Sequence, residues 1–117
     1  MRITELAHVI DARLVVPCGK ADAQIRRVFG GQAMSDLIAN ASVETLLITS
    51  LNNCQLIRMA ELMDVPGICL VDAKEPTPDL IDLARSAGTA LLVSRADLIN
   101  TCARAAECVS AEKAART

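Results

Sequence analysis

Five segments of the chain carry apolar residues at positions i, i+3, i+4 and i+7, a spacing that puts them on one face of a helix. The pattern therefore predicts five amphipathic helices. Their apolar positions are Ile3/Leu6/Ala7/Ile10, Met34/Leu37/Ile38/Ala41, Leu56/Met59/Ala60/Met63, Leu80/Leu83/Ala84/Ala87 and Ile99/Cys102/Ala103/Ala106.

Capping signals mark the ends of several predicted helices. Thr77-Pro78-Asp79 offers an N-cap, a proline at the first helical position and an acidic residue in the first turn. Ser94 and Asp97 form a capping-box pattern before the fifth helix. Gly67 and Gly88 follow the third and fourth helices, where the chain reverses direction and glycine is favoured.

Short apolar runs lie between the predicted helices. They are Leu14-Val15-Val16, Val28-Phe29, Leu46-Leu47-Ile48, Ile68-Cys69-Leu70-Val71 and Leu91-Leu92-Val93. The last three are continuously apolar, as in strands that helices cover on both faces. These three strands start at Leu46, Ile68 and Ala90, a spacing of 22 residues each time, which fits one strand, one helix and two short turns.

This repeat predicts the order βαβαβα over residues 44–108, with parallel strands and right-handed crossovers. The predicted fold class is α/β, in three layers α/β/α with a mostly parallel sheet. Residues 1–43 are less regular and predict a helix, a strand at 13–16, a loop at 17–24, a strand at 25–29 and a second helix. We expect one domain over residues 1–108, and a helical extension or frayed tail over 109–117.

Composition argues against several classes of protein. The 117 residues are 52% hydrophobic with a formal net charge of −2, which excludes intrinsic disorder. The longest stretch without charge or histidine has 13 residues, whereas a membrane-spanning helix needs about 20. A slightly acidic chain with Phe29 as its one aromatic residue is a poor nucleic-acid binder. No signal peptide is visible, and the odd number of cysteines, five, fits the reducing cytoplasm.

The sequence shows no catalytic or metal-binding set of residues. No two cysteines have the spacing of a zinc or redox motif, and His8, the only histidine, has no adjacent cysteine or carboxylate cluster. We therefore expect no enzymatic activity, no metal and no cofactor. Cys18 is the one candidate for a reactive thiol, because the nearby Lys20 would favour its thiolate.

Ligands of open parallel sheets bind beyond the carboxyl ends of the strands. Gly30 and Gly31 follow one such strand and lead into the helix that carries Ser35 and Asp36. Two glycines permit positive φ and a close approach of backbone amides to an anion, although a tight turn without a ligand fits the same pair. We expect Gly30→Val to abolish ligand binding without unfolding the domain.

The polar loop Thr49-Ser50-Leu51-Asn52-Asn53 follows the next strand. Asn52 or Asn53 is expected to cap the following helix, and the remaining side chains could hold a ligand or face a partner. Capping alone is the simpler interpretation. Two further loops, Asp72-Ala73-Lys74-Glu75 and Ser94-Arg95, are predicted at the same edge of the sheet.

From about Ile3 to Ala106 the chain resembles the DRTGG domain family. The matching segments are Ile3-Thr4-Glu5-Leu6-Ala7, Val28-Phe29-Gly30-Gly31, Met34-Ser35-Asp36-Leu37, Leu47-Ile48-Thr49 and Glu75-Pro76-Thr77-Pro78. The chain is most similar to short stand-alone members of anaerobic bacteria, often encoded near iron-only hydrogenases. The resemblance implies a regulatory or ligand-sensing module, often dimeric, as in longer relatives where catalysis belongs to another domain.

The chain departs from the pattern that names the family. Leu51-Asn52 stands near the family's Asp-Arg pair, and Val71-Asp72-Ala73 stands at its Thr-Gly-Gly. An anion site on those glycines would be lost, and Asp72 would repel phosphate. Gly30-Gly31 and Ser35-Asp36 are retained, so the resemblance assigns any ligand to them.

Three functions of different classes remain open. The leading hypothesis is a non-enzymatic, cytoplasmic, homodimeric module that binds a small polar or anionic metabolite. Its predicted ligand-binding residues are Gly30, Gly31, Ser35, Asp36, Asn52 and Asn53. The alternative is an adaptor that docks on a redox enzyme such as a hydrogenase and has no small-molecule ligand. The third is a small enzyme or thiol-based redox sensor that uses Cys18.

Overall fold

The computed structural model of the chain describes residues 1–19 and 23–116, so part of the predicted loop at 17–24, including Lys20, lies outside the described residues. The described helices are α1 Ile3–Val9, α2 Met34–Asn40, α3 Cys54–Leu62, α4 Pro78–Ala87 and α5 Leu98–Arg116. The strands are β1 Arg13–Val16, β2 Arg27–Gly30, β3 Thr45–Thr49, β4 Gly67–Leu70 and β5 Ala90–Val93. The predicted α/β class is confirmed.

The strands form one sheet in the order β1-β5-β4-β3-β2. The strands from β2 to β5 are parallel to their neighbours, whereas β1 is antiparallel to β5. The chain thus moves one position across the sheet at each step from β2 to β5. Right-handed crossovers that all advance in one direction bring their helices to the same face of the sheet.

Helices cover both faces of the sheet. α2, α3 and α4 pack on one face against Leu47, Ile68 and Leu91, which are neighbours in the sheet register. α1 and α5 pack on the other face, against Leu46 and Leu92 among others. Because alternate side chains of a strand point to opposite faces, both faces must be apolar, which explains the continuous apolar runs. The predicted three layers are thus confirmed.

Two of the predicted helix signals are found in the structure. The side chain of Thr77 accepts a hydrogen bond from the Leu80 amide at 3.2 Å, and Pro78 is the first residue of α4. Gly88 ends α4 with a φ of 73°, in the left-handed region that glycine occupies without strain. α4 therefore begins and ends where the sequence predicts.

Two other predicted signals have different roles. Gly67 does not end α3; it is the first residue of β4, and Asp64 takes the positive φ of 55° after the helix. Ser94 does not cap α5, because Asp97 does so by accepting a hydrogen bond from the Asn100 amide at 2.8 Å. The Ser94 hydroxyl instead accepts a hydrogen bond from the Ala96 amide at 3.2 Å and lies 2.9 Å from the Thr101 hydroxyl.

Gly30 has a packing role that its sequence context does not indicate. It is the last residue of β2 and pairs with Ile48, and α5 crosses the strand at this point. A Cβ atom on Gly30 would overlap Cys102 Sγ and lie 3.3 Å from Leu98 Cδ1. A larger residue here must therefore displace the Cys102 side chain or move α5 away from β2. The expectation that Gly30→Val leaves the domain folded stays a prediction.

We predict that Gly30→Ala lowers the free energy of unfolding by about 1–3 kcal/mol, the usual cost of overpacking a core. Cys102→Ala in the Gly30→Ala background removes the clashing sulfur and is expected to restore part of the loss, because both substitutions act on one contact. Urea denaturation of the wild type, the two single variants and the double variant measures the coupling. Strictly additive losses would contradict this packing.

Candidate functional site

The carboxyl ends of β2, β3, β4 and β5 lie at one edge of the sheet, as their parallel pairing requires. The antiparallel β1 begins at the same edge, because Arg13 is the partner of Val93, the last residue of β5. The edge therefore carries the four loops predicted from the sequence. It also carries the turn at Asp11-Ala12, which the sequence analysis did not place there.

Gln32 connects two loops at the β2 end of this edge. Its Oε1 accepts hydrogen bonds from the Ser50 amide, at 3.1 Å, and from the Ser50 hydroxyl. Gln32 directly follows the two glycines, and nothing in the local sequence shows that its side chain reaches the next loop. The β2 and β3 loops are thereby held together.

The glycine pair lacks the backbone geometry expected of an anion-binding turn. Neither Gly30 nor Gly31 has a positive φ. The Gly31 amide already donates to the Ile48 carbonyl at 3.0 Å, so it is not free to bind a ligand. Ser35 and Asp36 are exposed in the first turn of α2. Ligand binding by these side chains stays a prediction.

The two asparagines of the β3 loop have separate roles. The Asn53 side chain accepts a hydrogen bond from the Leu56 amide at 3.1 Å and so caps α3, one of the two alternatives predicted for this pair. Asn52 Nδ2 donates to the Glu75 carbonyl at 3.1 Å, which ties the β3 loop to the β4 loop. Asn52 Oδ1 is buried and has no hydrogen-bond partner among the described residues.

A strained turn follows β4. Asp72 and Ala73 have φ values of 59° and 54°, in the left-handed region that residues other than glycine rarely occupy. The Lys74 amide closes the turn on the Val71 carbonyl at 3.2 Å. The amides of Asp72 and Ala73 donate to carbonyls of the β5 loop at 2.9 and 2.8 Å, so the strain is held in place by the neighbouring loop.

A cavity of about 380 Å³ opens where β1, β4 and β5 meet this edge. Its lining residues are Asp11, Ala12, Arg13, Ala73, Glu75, Val93 and Arg95. The Arg13 guanidinium forms an ion pair with the Glu75 carboxylate across it. Both side chains are more than half exposed, so this pair contributes little to stability.

A second cavity, of about 310 Å³, adjoins the first. It is lined by Ile10, Asp11, Ser94, Arg95, Ala96 and Arg104. The two cavities share Asp11 and Arg95, which therefore lie between them. None of the six residues predicted to bind a ligand lines either cavity. Both cavities lie at the opposite end of the edge from Gly30 and Gly31.

The cysteines lie apart from these cavities. Desolvation by burial, with a smaller contribution from Cys102, raises the pKa of the Cys69 thiol to about 12, and burial also raises the pKa of Cys102. Cys18 is half-buried against the core. Its proposed activator Lys20 lies outside the described residues, so a reactive Cys18 stays a prediction.

Within residues 1–19 and 23–116, no group of three or more His, Cys, Asp and Glu side chains could hold a metal ion. No helix in the same ranges is long and apolar enough to span a membrane.

The fold and its edge define an open α/β domain with a cavity beyond the carboxyl ends of its strands. Such domains commonly bind ligands at this position. No protein-family model matches the chain, and neither does any curated protein.

Among the solved structures that match the fold, one has a TM-score of 0.68. It is the crystal structure of the CBS and DRTGG domains of the regulatory region of Clostridium perfringens pyrophosphatase, complexed with the activator diadenosine tetraphosphate. The match has 10% sequence identity and covers 89% of this chain and 45% of that chain. It supports a DRTGG-like fold, and this chain spans less than half of that regulatory region.

We predict that Ala73→Gly raises the free energy of unfolding by up to about 1 kcal/mol, because glycine adopts positive φ without the clash that strains alanine. Ala103→Gly, at an exposed position within α5, is the matched control and is expected to lower it by about 1 kcal/mol. Thermal and urea denaturation measure both changes. A loss of stability in Ala73→Gly similar to that in the control would show that the turn is not strained.

Proposed function

We propose that the chain is a regulatory module that binds a small polar or anionic metabolite at the carboxyl edge of its sheet. The observation that carries this proposal is the cavity of about 380 Å³ beside β1, β4 and β5. Its volume lies in the range of small-molecule sites, roughly 300–1,000 Å³. Charged side chains of both signs line it, which suits a polar ligand.

The loops around the cavity are connected in a way that supports a preformed site. The β4 turn donates two backbone hydrogen bonds to the β5 loop. Asn52 links the β3 loop to Glu75, and Lys74 Nζ donates to the Ser50 carbonyl at 3.4 Å. These hydrogen bonds join the β3, β4 and β5 loops. A ligand that shifts one of these loops would therefore shift the others, as a sensing role requires.

The proposal has no catalytic step. Arg13 and Glu75 bind each other, and the Ser94 hydroxyl is engaged by Thr101 and the Ala96 amide. We therefore assign these groups to ligand recognition and loop structure rather than to catalysis. The pyrophosphatase structure that shares the fold is a regulatory region with a bound nucleotide activator, which supports a regulatory role here.

The proposed site lies apart from the six residues predicted earlier, none of which lines the cavity. Asn52 contributes by positioning the loop at Glu75, and Asn53 contributes only as a helix cap. Gly30 allows α5 to pack closely on β2, and the Gly31 amide donates a hydrogen bond to the Ile48 carbonyl of β3. A homodimer, the cytoplasmic location and the adaptor that docks on a hydrogenase remain predictions of the sequence and its family resemblance.

A thermal-shift screen against nucleotides, phosphorylated metabolites and small organic acids tests the proposal. A ligand at 100 times its dissociation constant stabilises the folded state by about 2.7 kcal/mol. For a domain of this size we expect a rise in Tm of about 10 °C. A flat response to the whole panel would contradict the ligand-sensing function.

Arg13→Ala localises any ligand found in the screen. The variant removes one wall of the cavity and is expected to reduce the ligand-induced rise in Tm by at least half. Arg85→Ala, at an exposed position in the last turn of α4, is the matched control and should keep the full rise. An equal rise in Tm in both variants would show that the ligand binds outside this cavity.

A further inference from the structure

We propose that the metabolite is a phosphorylated sugar, whose phosphate is held by Arg95 and Arg104 and whose hydroxyl groups face Asp11. This inference rests on the proposed function and names the ligand class of the same site. The two adjoining cavities carry it, because Asp11 and Arg95 line both of them and Arg104 lines the second.

Arg95 and Arg104 are the groups that attract an anion. Both are exposed, and neither forms an ion pair or a side-chain hydrogen bond with any described residue. Arg13, in contrast, is neutralised by Glu75. A free guanidinium offers a planar fork of N–H donors that matches two phosphate oxygens. Two such groups on one cavity favour a phosphate.

Asp11 determines which chemical groups the ligand can carry besides its phosphate. It lies in the turn between α1 and β1, with a φ of 57°, and lines both cavities. Its carboxylate repels a second anionic group but accepts hydrogen bonds from hydroxyl groups. Two guanidinium groups and one carboxylate thus line the second cavity. The site therefore favours one concentrated anionic group on a neutral, hydroxyl-bearing body over a di- or tricarboxylate.

The size of the larger cavity limits the body of the ligand. Its volume of about 380 Å³ lies at the lower end of the range for small-molecule sites, roughly 300–1,000 Å³. This size favours a monomeric sugar phosphate, such as a pentose or hexose phosphate. Ribose 5-phosphate is therefore a suitable probe.

Isothermal titration calorimetry with ribose 5-phosphate, ribose and inorganic phosphate tests the assignment. We expect ribose 5-phosphate to bind at least tenfold more tightly than either fragment. Arg95→Ala and Arg104→Ala are each expected to weaken the binding of ribose 5-phosphate at least tenfold. Arg58→Ala, at an exposed position on α3, is the matched control and should leave the affinity unchanged.

Asp11→Asn separates the two halves of the site. Asparagine keeps the shape of the side chain and tolerates positive φ, but it removes the negative charge. We expect Asp11→Asn to tighten the binding of inorganic phosphate several-fold. The ratio of the affinity for ribose 5-phosphate to that for inorganic phosphate should therefore fall. Circular dichroism of each variant checks that it is folded.

Two results would overturn the phosphate assignment. One is that neither phosphate compound binds the folded wild type. The other is that the affinity for ribose 5-phosphate is the same in Arg95→Ala, Arg104→Ala and the wild type.

Malate separates this failure from a failure of the proposed function. If malate binds and loses affinity in Arg13→Ala while the phosphate compounds do not bind, ligand sensing stands and the phosphate assignment is wrong. If malate, the phosphate compounds and the wider screening panel all fail to bind, both proposals are wrong.

Discussion

The antiparallel pairing of β1 with β5 determines where the candidate site lies. In a purely parallel sheet, only the loops that follow strands meet at the carboxyl edge. Here the pairing of Arg13 with Val93 brings the start of β1 to that edge as well. The cavity, the ion pair between Arg13 and Glu75 and the position of Asp11 all depend on this one pairing.

Most of the fold could be predicted because it is encoded locally. The 22-residue repeat and the fully apolar strands specify parallel strands between two helical layers. The predictions that failed have two causes. Gly67 has the residue type of a helix cap, but its role is set far along the chain, because Ile3 Cδ1 lies where a Cβ on Gly67 would be. Ser94 fails for a local reason, because Asp97, three residues further on, caps α5 instead.

The site was only partly predictable for the same reason. The rule that ligands bind at the carboxyl ends of parallel strands led to the loops that carry Glu75 and Arg95, and these two residues line the cavity. It could not indicate Arg13, which is 62 residues from its partner Glu75. Two adjacent glycines after a strand predicted a ligand site, but the sequence cannot show that α5 crosses β2 at Gly30.

The measurement that tests the account most directly is a map of backbone amide chemical shifts during titration with the strongest compound from the screen. The account predicts that the largest changes cluster around the cavity, at Asp11, Arg13, Ala73, Glu75 and Arg95. Saturating changes confined to the opposite edge of the sheet, or to the turn after β2, would contradict it.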